Sequence, residues 1–178
     1  MSEYLESAGD PAKPLAGRTA IITGSGQNIG RAIALHFARA GANVVVNGHR
    51  NRDALDRVVK EVEAFGVKAL ACLADVGNPQ AVADMVKQAE DKFGGIDIAV
   101  SNVSLRLHQT FFDISLDDWD RILRSNLSAS FYLARAVLPG MQKGKWGRII
   151  HISGEDGFQG HIPGRAHNMV CKAGVHAF

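Results

Sequence analysis

The chain has 178 residues, 46% of them hydrophobic, which suits one domain with its own core and is too short for two ordinary domains. Its 20 basic and 18 acidic residues give a formal net charge of +2 without a run of like charge, which argues against nucleic acid or an anionic membrane as a partner and favours a small-molecule substrate. No apolar run reaches the length that a bilayer requires.

Neither the amino terminus nor the cysteines indicate a secreted protein. Residues 1–16 contain acidic side chains but lack the basic start and the apolar core of a secretory signal, so we interpret them as a flexible leader. The two cysteines, Cys72 and Cys171, lie far apart in apolar segments, which favours buried reduced thiols over a disulfide. We therefore expect a cytoplasmic protein.

From Arg18 onward, short apolar runs alternate with amphipathic stretches, a pattern typical of βαβ units in a parallel sheet. Their nearly continuous apolar character predicts strands that are buried on both faces. The pattern predicts an α/β fold, a Rossmann-type doubly wound parallel sheet with five strands. The predicted strands are Thr19–Thr23, Asn43–Asn47, Lys68–Leu73, Ile96–Ser101 and Arg148–Ile152.

Local signals mark the ends of the predicted helices. Asn78 is a capping residue followed by Pro79 at the first helical position, and Ser115 stands three residues before Asp118. Gly94 is a typical helix stop. These signals predict helices between consecutive strands.

The carboxyl-terminal residues, Cys171–Phe178, predict the opening of one more helix, and the sequence stops within about two turns of it. We therefore expect residues 17–178 to form one domain whose carboxyl-terminal part and last strands are missing. The fifth strand would then be an exposed apolar edge.

A glycine-rich turn lies between the first predicted strand and the first predicted helix. In such a turn, backbone N–H groups and the positive helix end face a pyrophosphate, and the missing side chains allow it to approach closely. The strand before it and the helix after it favour a dinucleotide site over a merely tight turn. The predicted cofactor contacts in the turn are Gly24, Ser25, Gly26, Asn28, Ile29 and Gly30.

The spacing of this turn resembles that of the short-chain dehydrogenase/reductase family, whose pattern is Thr-Gly-x-x-x-Gly-Ile-Gly. The chain keeps Thr23, Gly24, Ile29 and Gly30, and it has Asn28 at the place of the middle glycine. Asparagine tolerates a left-handed backbone better than most residues, so the departure is mild. The resemblance extends over residues 17–178.

The resemblance also implies where the rest of a dinucleotide would lie. Asp75 and Val76 resemble the family's Asp-Val pair, whose carboxylate meets the adenine amino group, and Asn102 matches an asparagine after the fourth strand. At the end of the second strand, the acidic residue that holds the ribose of NAD is missing, and His49 and Arg50 follow. Charge complementarity therefore favours NADP(H) over NAD(H), although these two residues also suit a solvated surface.

The family's catalytic residues are only partly present. The resemblance implies that Lys172 and Asn126 correspond to the family's catalytic lysine and asparagine. It also implies that Asn168 stands in place of the proton-donating tyrosine and Gly154 in place of the catalytic serine. An amide neither ionises nor gives up a proton near neutral pH. Losing a general acid costs roughly 10²- to 10⁴-fold in rate.

Other side chains near the fifth strand are candidates for the missing proton donor. They are His151, His161 and the pair Glu155 and Asp156, and a surface or packing role stays open for each histidine. Ser153 could take the place of the missing serine only through a local shift of register. No histidine spacing matches a metal site.

Two functions remain from the sequence. The first is an NAD(P)-dependent oxidoreductase that acts on a carbonyl/alcohol pair with an atypical proton donor. The alternative is a relative that binds the dinucleotide without net redox turnover, as a regulatory or binding protein or as a lyase or isomerase. The resemblance implies a homo-dimer or homo-tetramer in either case.

Overall fold

The computed structural model describes residues 12–160 and 163–178 as five strands, six α-helices and short connecting turns. The strands are β1 (Thr19–Ile22), β2 (Asn43–Gly48), β3 (Ala69–Leu73), β4 (Ile98–Ser101) and β5 (Arg148–His151). The helices are α1 (Asn28–Arg39), α2 (Arg52–Glu63), α3 (Pro79–Phe93), α4 (Leu116–Leu123), α5 (Ala129–Lys143) and α6 (Ala166–Ala177). A π-helical segment, Arg124–Ser128, joins α4 to α5, and 3₁₀ turns span Phe111–Asp113 and Glu155–Gly157.

All five strands are parallel and lie in the order β3-β2-β1-β4-β5. The order reverses between β1 and β4, so the chain winds outward from the centre in both directions. Ligands of open α/β sheets bind outside the carboxyl ends of the strands at such a switch point. The prediction of a Rossmann-type doubly wound sheet is confirmed, and strand boundaries agree within two residues.

Each face of the sheet has its own apolar core. On one face, Ala20, Val44 and Val58 belong to the cluster that covers the sheet with α1 and α2. On the other face, Ile21 and Val45 pack against residues of α3 and α5. Neighbouring strand residues therefore contribute to opposite cores, as the two-residue period of a strand requires.

Two sequence predictions need correction. Burial on both faces holds for β1 and β4, but it is wrong for the two edge strands, because β3 leaves Leu73 46% exposed and β5 leaves Ile150 40% exposed. The last helix does not open at Cys171 but at Ala166. Its first turn carries His167, whose Nδ1 accepts a hydrogen bond from the Asn168 N–H at 2.9 Å.

The predicted helix ends are confirmed. The Asn78 side chain accepts hydrogen bonds from the first turn of α3, and Ser115 accepts one from Asp118 N–H at the start of α4. Gly94 ends α3 in a left-handed conformation with φ of 86°. The Asn78 and Ser115 caps satisfy N–H groups that have no partner inside the helix.

Little of the predicted leader can be compared with the structure. Residues 1–11 lie outside the described residues, and residues 12–16 form turns in which the Leu15 N–H donates to Ala40 O at 2.8 Å. No helix within residues 12–160 and 163–178 is both long and apolar enough to cross a membrane.

Asn47 connects the carboxyl ends of three strands. Its side chain is buried, its Oδ1 accepts from Gly24 N–H at 3.2 Å, and its Nδ2 donates to Cys72 O at 3.2 Å and Ala74 O at 3.1 Å. The amide thus ties the turn after β1 to the end of β3. Buried amides are retained where each polar atom has a partner.

Replacing Asn47 by Ala removes these hydrogen bonds and leaves buried carbonyls without a donor. We expect the free energy of unfolding to fall by about 2–3 kcal/mol, measured by urea denaturation followed by circular dichroism. The matched control is Asn43→Ala at the start of the same strand, where one exposed hydrogen bond to Lys68 N–H is lost. Equal losses in the two variants would contradict the role assigned to Asn47.

Candidate functional site

The turn between β1 and α1 depends on glycine at two positions. Gly24 has φ of 63°, and a Cβ there would lie 2.9 Å from Val103 Cγ2. A Cβ on Gly30 would collide with the Gly24 carbonyl oxygen. The turn and the start of α1 are therefore packed closely enough that only glycine fits.

Asn28 stands where the family pattern has its middle glycine. Its φ of 50° lies in the left-handed region, in agreement with the tolerance of asparagine for that conformation. The backbone thus keeps its shape despite the departure from the pattern.

The amino terminus of α1 has no side-chain cap. The Gln27 side chain makes no capping hydrogen bond, and the first turn holds no acidic residue. Asn51, Asn78 and Ser115 cap α2, α3 and α4. The open N–H groups and the positive end of the α1 dipole suit an anionic group such as a pyrophosphate.

Two predicted cofactor residues hold the turn from inside. The Ser25 hydroxyl is fully buried, donates to Ile22 O at 2.7 Å and accepts from Asn47 N–H at 3.0 Å. The Asn102 Nδ2 donates to Thr23 O at 3.0 Å, and the Asn102 N–H donates to Thr23 Oγ1 at 2.9 Å. These side-chain groups position the turn, which leaves the backbone and the Ile29 side chain, 62% exposed, to face a ligand.

A cleft of about 590 Å³ extends from the turn along the carboxyl ends of β2, β3 and β4. This volume falls in the range of small-molecule and cofactor sites. It lies at the switch point of the sheet, where the sequence predicts the dinucleotide. Its walls include Gly24, Gly26, Gly48, His49, Arg50, Asp75, Val76, Val103 and Leu105.

The far end of the cleft carries both basic and acidic groups. His49 and Arg50 follow β2 on the surface, and His49 Nε2 lies 3.9 Å from Asp75 Oδ2. Asp75 Oδ1 accepts from Gly77 N–H at 2.9 Å, and Val76 is buried beside it. The carboxylate is therefore oriented by its own loop and still lines the cleft.

The other predicted site lies at the carboxyl ends of β4 and β5, where Asn126 holds the loop after β4. Asn126 Oδ1 accepts from Leu105 N–H at 2.7 Å, and Nδ2 donates to Leu105 O at 2.7 Å. The same Nδ2 donates to Asn168 Oδ1 at 3.3 Å. Asn126 thus connects this loop to α6, as its position in the π-helical segment allows.

Asn168 is 2% exposed, and both ends of its amide are occupied. In addition to the contact with Asn126, its Nδ2 donates to Asp156 Oδ2 at 2.7 Å. The other Asp156 oxygen accepts from Arg165 at 3.3 Å. A carboxylate therefore contacts the residue for which the resemblance implies a tyrosine.

Lys172 lies one helical turn beyond Asn168 and is buried. Its Nζ donates to Ile152 O at 2.8 Å, and the Ser153 hydroxyl donates to the Lys172 carbonyl oxygen at 3.3 Å. Burial lowers the pKa of the Lys172 ammonium, and the Arg106 guanidinium adds to the lowering. An ammonium has three N–H donors, so Lys172 has donors left for a ligand.

The other candidate proton donors are placed differently. Glu155 is exposed, and His151 packs its ring 5.2 Å from the Phe178 ring, where burial lowers the pKa of the imidazole. His161 lies outside the described residues. The structure thus brings Asn126, Asn168, Lys172 and Ser153 together, whereas neither Glu155 nor His151 shares a hydrogen bond with that group among the described residues.

Sequence reasoning did not select Asp156 from the pair Glu155 and Asp156. The two acids are adjacent and equally polar, so only the direction of the 3₁₀ turn distinguishes them. Arg165 and Leu105 carried no signal of their own. The described residues contain no group of three or more histidine, cysteine, aspartate or glutamate side chains arranged to hold a metal ion.

Comparison with known proteins agrees with this geometry. The model of the short chain dehydrogenase family matches residues 18–178. D-beta-hydroxybutyrate dehydrogenase of Rhizobium meliloti is 42% identical over 141 residues, which cover 79% of this chain and 55% of the relative. 3-Oxoacyl-(acyl-carrier-protein) reductase of Synechocystis sp. is 38% identical over 164 residues, which cover 92% of this chain and 66% of the relative.

A solved structure is similar as well. The crystal structure of NAD⁺-bound xylitol dehydrogenase matches with a TM-score of 0.87 at 30% identity, covering 93% of this chain and 63% of that protein. The chain therefore spans between 55% and 66% of the length of these relatives.

The burial of Cys171 in α6 and of Cys72 in β3 predicts the reactivity of the two thiols. Burial raises the pKa of Cys171 to about 11 and also raises that of Cys72. At pH 8, about one Cys171 in a thousand is a thiolate, so we expect neither thiol of the native chain to react readily with Ellman's reagent. Both should react once urea has unfolded the chain.

Cys171→Ser and Cys72→Ser variants identify which thiol reacts in each state. Rapid reaction of Cys171 in the native chain would contradict the placement of α6 against α4, where Cys171 Sγ lies 3.7 Å from Ile122 O.

Proposed function

The chain belongs to the short-chain dehydrogenase family, and from this premise we propose that it is an NAD(P)-dependent oxidoreductase. It would interconvert a carbonyl and an alcohol with a proton donor other than tyrosine. The relatives compared above are named as dehydrogenases or a reductase. A small-molecule substrate, a cytoplasmic location and a homo-dimeric or homo-tetrameric assembly belong to the same proposal.

The main support for the proposal is the uncapped start of α1, which lies beside a turn that requires glycine at positions 24 and 30. We propose that the backbone N–H groups of this turn hold the pyrophosphate. Asp75 and Val76 would lie beside the adenine, and Lys172 would reach the nicotinamide ribose. When bound, the dinucleotide supplies or accepts the hydride.

A preference for NADP(H) over NAD(H) is part of the proposal. Gly48 stands where an acidic residue would repel the 2′-phosphate, and His49 and Arg50 offer cationic or hydrogen-bonding groups beside it. The solved xylitol dehydrogenase holds NAD⁺, so the preference rests on the charges of this chain.

A second function is favoured by one observation. Both ends of the Asn168 amide are engaged by Asn126 and Asp156, so the residue at the tyrosine position serves the interior of the protein. A relative that binds the dinucleotide without net redox turnover would need no phenol there. It would act as a regulatory or binding protein, or as a lyase or isomerase.

The cofactor preference predicts the effect of replacing Arg50. Arg50→Ser removes a candidate phosphate partner, so we expect the Kd for NADPH to rise about tenfold while the Kd for NADH changes little, measured by fluorescence titration. Arg57→Ser on the exposed face of α2 is the matched control and should change neither Kd. A wild-type chain that binds NADH as tightly as NADPH would contradict the preference.

The two functions differ in hydride transfer. We expect the wild-type chain with bound dinucleotide to transfer hydride slowly in single-turnover experiments on a panel of ketones and alcohols. Asn168→Tyr combined with Gly154→Ser should raise the rate by about 10²-fold or more, because a phenol beside Lys172 restores the usual proton donor. Tight dinucleotide binding without transfer to any compound would overturn the redox proposal in favour of the second function.

A further inference from the structure

Asp156 is an acid directed at the position where the family carries its tyrosine. Its side chain is 12% exposed, and its two oxygens accept from Asn168 Nδ2 at 2.7 Å and from Arg165 at 3.3 Å. Two donors, one on the residue before α6 and one in its first turn, thus fix the carboxylate. The neighbouring Glu155 points to solvent.

The 3₁₀ turn that carries Asp156 is held against α6. A Cβ on Gly157 would lie 2.7 Å from His176 Cε1 and 2.9 Å from the Lys172 carbonyl carbon, so the turn approaches the helix as closely as glycine allows. The Phe158 ring stacks on the His176 ring with centroids 3.9 Å apart. This packing gives the carboxylate a defined position.

Proton transfer requires a group that can both accept and release a proton. Asn168 and Asn126 are amides and cannot do so, and the Arg165 guanidinium stays charged. Lys172 has a buried ammonium bound to Ile152 O, and His151 packs on Phe178. Within the described part of the site, Asp156 is the carboxylate in contact with the tyrosine position.

We propose that Asp156 replaces the missing tyrosine as the catalytic proton acceptor in alcohol oxidation. This inference rests on the proposed redox function. The O–H bond of the alcohol breaks and its proton passes to Asp156. The C–H electron pair leaves as hydride to the oxidised nicotinamide dinucleotide, and the carbonyl double bond forms. The proton then passes from Asp156 to water, and the reverse sequence serves carbonyl reduction.

The neighbours of Asp156 determine how it acts. Arg165 and Asn168 hold its two oxygens, and Asn126 in turn holds Asn168 and the loop after β4. The carboxylate is thereby prevented from rotating away. Arg165 and Asn168 are positioning residues in this scheme, since they act through Asp156.

The test compares wild type with Asp156→Asn, Glu155→Gln and Asp97→Asn, each loaded with oxidised dinucleotide, and adds Asp156→Ala for rescue by formate. Asp97 is the matched control, because it also pairs with an arginine, Arg18, but directly precedes β4 at the amino ends of the strands, away from the site. We expect single-turnover alcohol oxidation to fall by about 10²- to 10⁴-fold in Asp156→Asn alone. Added formate should restore part of the rate in Asp156→Ala, because the small carboxylate accepts the proton.

A second readout does not depend on turnover. In nuclear magnetic resonance spectra of the unloaded chain, the side-chain amide signals of Asn168 should shift as Asp156 takes up a proton on acidification. The shift should persist in Glu155→Gln and disappear in Asp156→Asn. Dinucleotide Kd and thermal unfolding should be similar in Asp156→Asn and Asp97→Asn, which separates a catalytic role from a structural one.

The possible failures are distinguishable. If hydride transfer survives in Asp156→Asn, or is lost equally in Glu155→Gln, the proton role of Asp156 is overturned while the redox function stands. An Asn168 amide signal that does not change with pH in the wild type also overturns the proton role of Asp156. A wild-type chain that binds the dinucleotide and transfers no hydride overturns the redox function and the proton role together.

Discussion

The buried amide of Asn47 is the interaction on which the cleft depends. It joins the turn after β1 to the ends of β2 and β3 in a region where each strand must stop and redirect its backbone. Backbone groups at such strand ends lose their sheet partners and must find others when they are buried. One side chain supplies those partners, so the glycine turn, the uncapped start of α1 and the Asp75 loop are held at a common edge.

At the carboxyl ends of β4 and β5, buried side-chain amides likewise supply hydrogen-bond partners to the loops. Asn126 satisfies the loop after β4, and Asn168 links it to Asp156 on the turn after β5. The amide at position 168 accepts through Oδ1 and donates through Nδ2, so it joins Asn126 and Asp156 with two separate atoms. Asn126, Asn168 and Asp156 therefore form a continuous polar network between the loop after β4 and the turn after β5.

Sequence and structure agree where local patterns carry the information. The alternation of apolar strands and amphipathic helices predicted the sheet, and the caps at Asn78 and Ser115 predicted the starts of α3 and α4. The apolar residues of β5 look the same at an edge as in the centre, so the order of the predicted strands, and not the composition of β5, indicated its place at an exposed edge. Likewise, the inward direction of Asp156 depends on a turn that packs against a helix distant in sequence.

The sequence by itself determined the parallel α/β sheet and the glycine turn that resembles the family's. Periodicity, caps and motif spacing are local properties of the sequence, so they are recognised without knowledge of tertiary contacts. Only the tertiary structure decided that Ser25 and Asn102 hold the turn from inside and that Asp156, not Glu155, contacts Asn168. The physical reason is that side-chain direction and burial are set by packing between segments far apart in the chain.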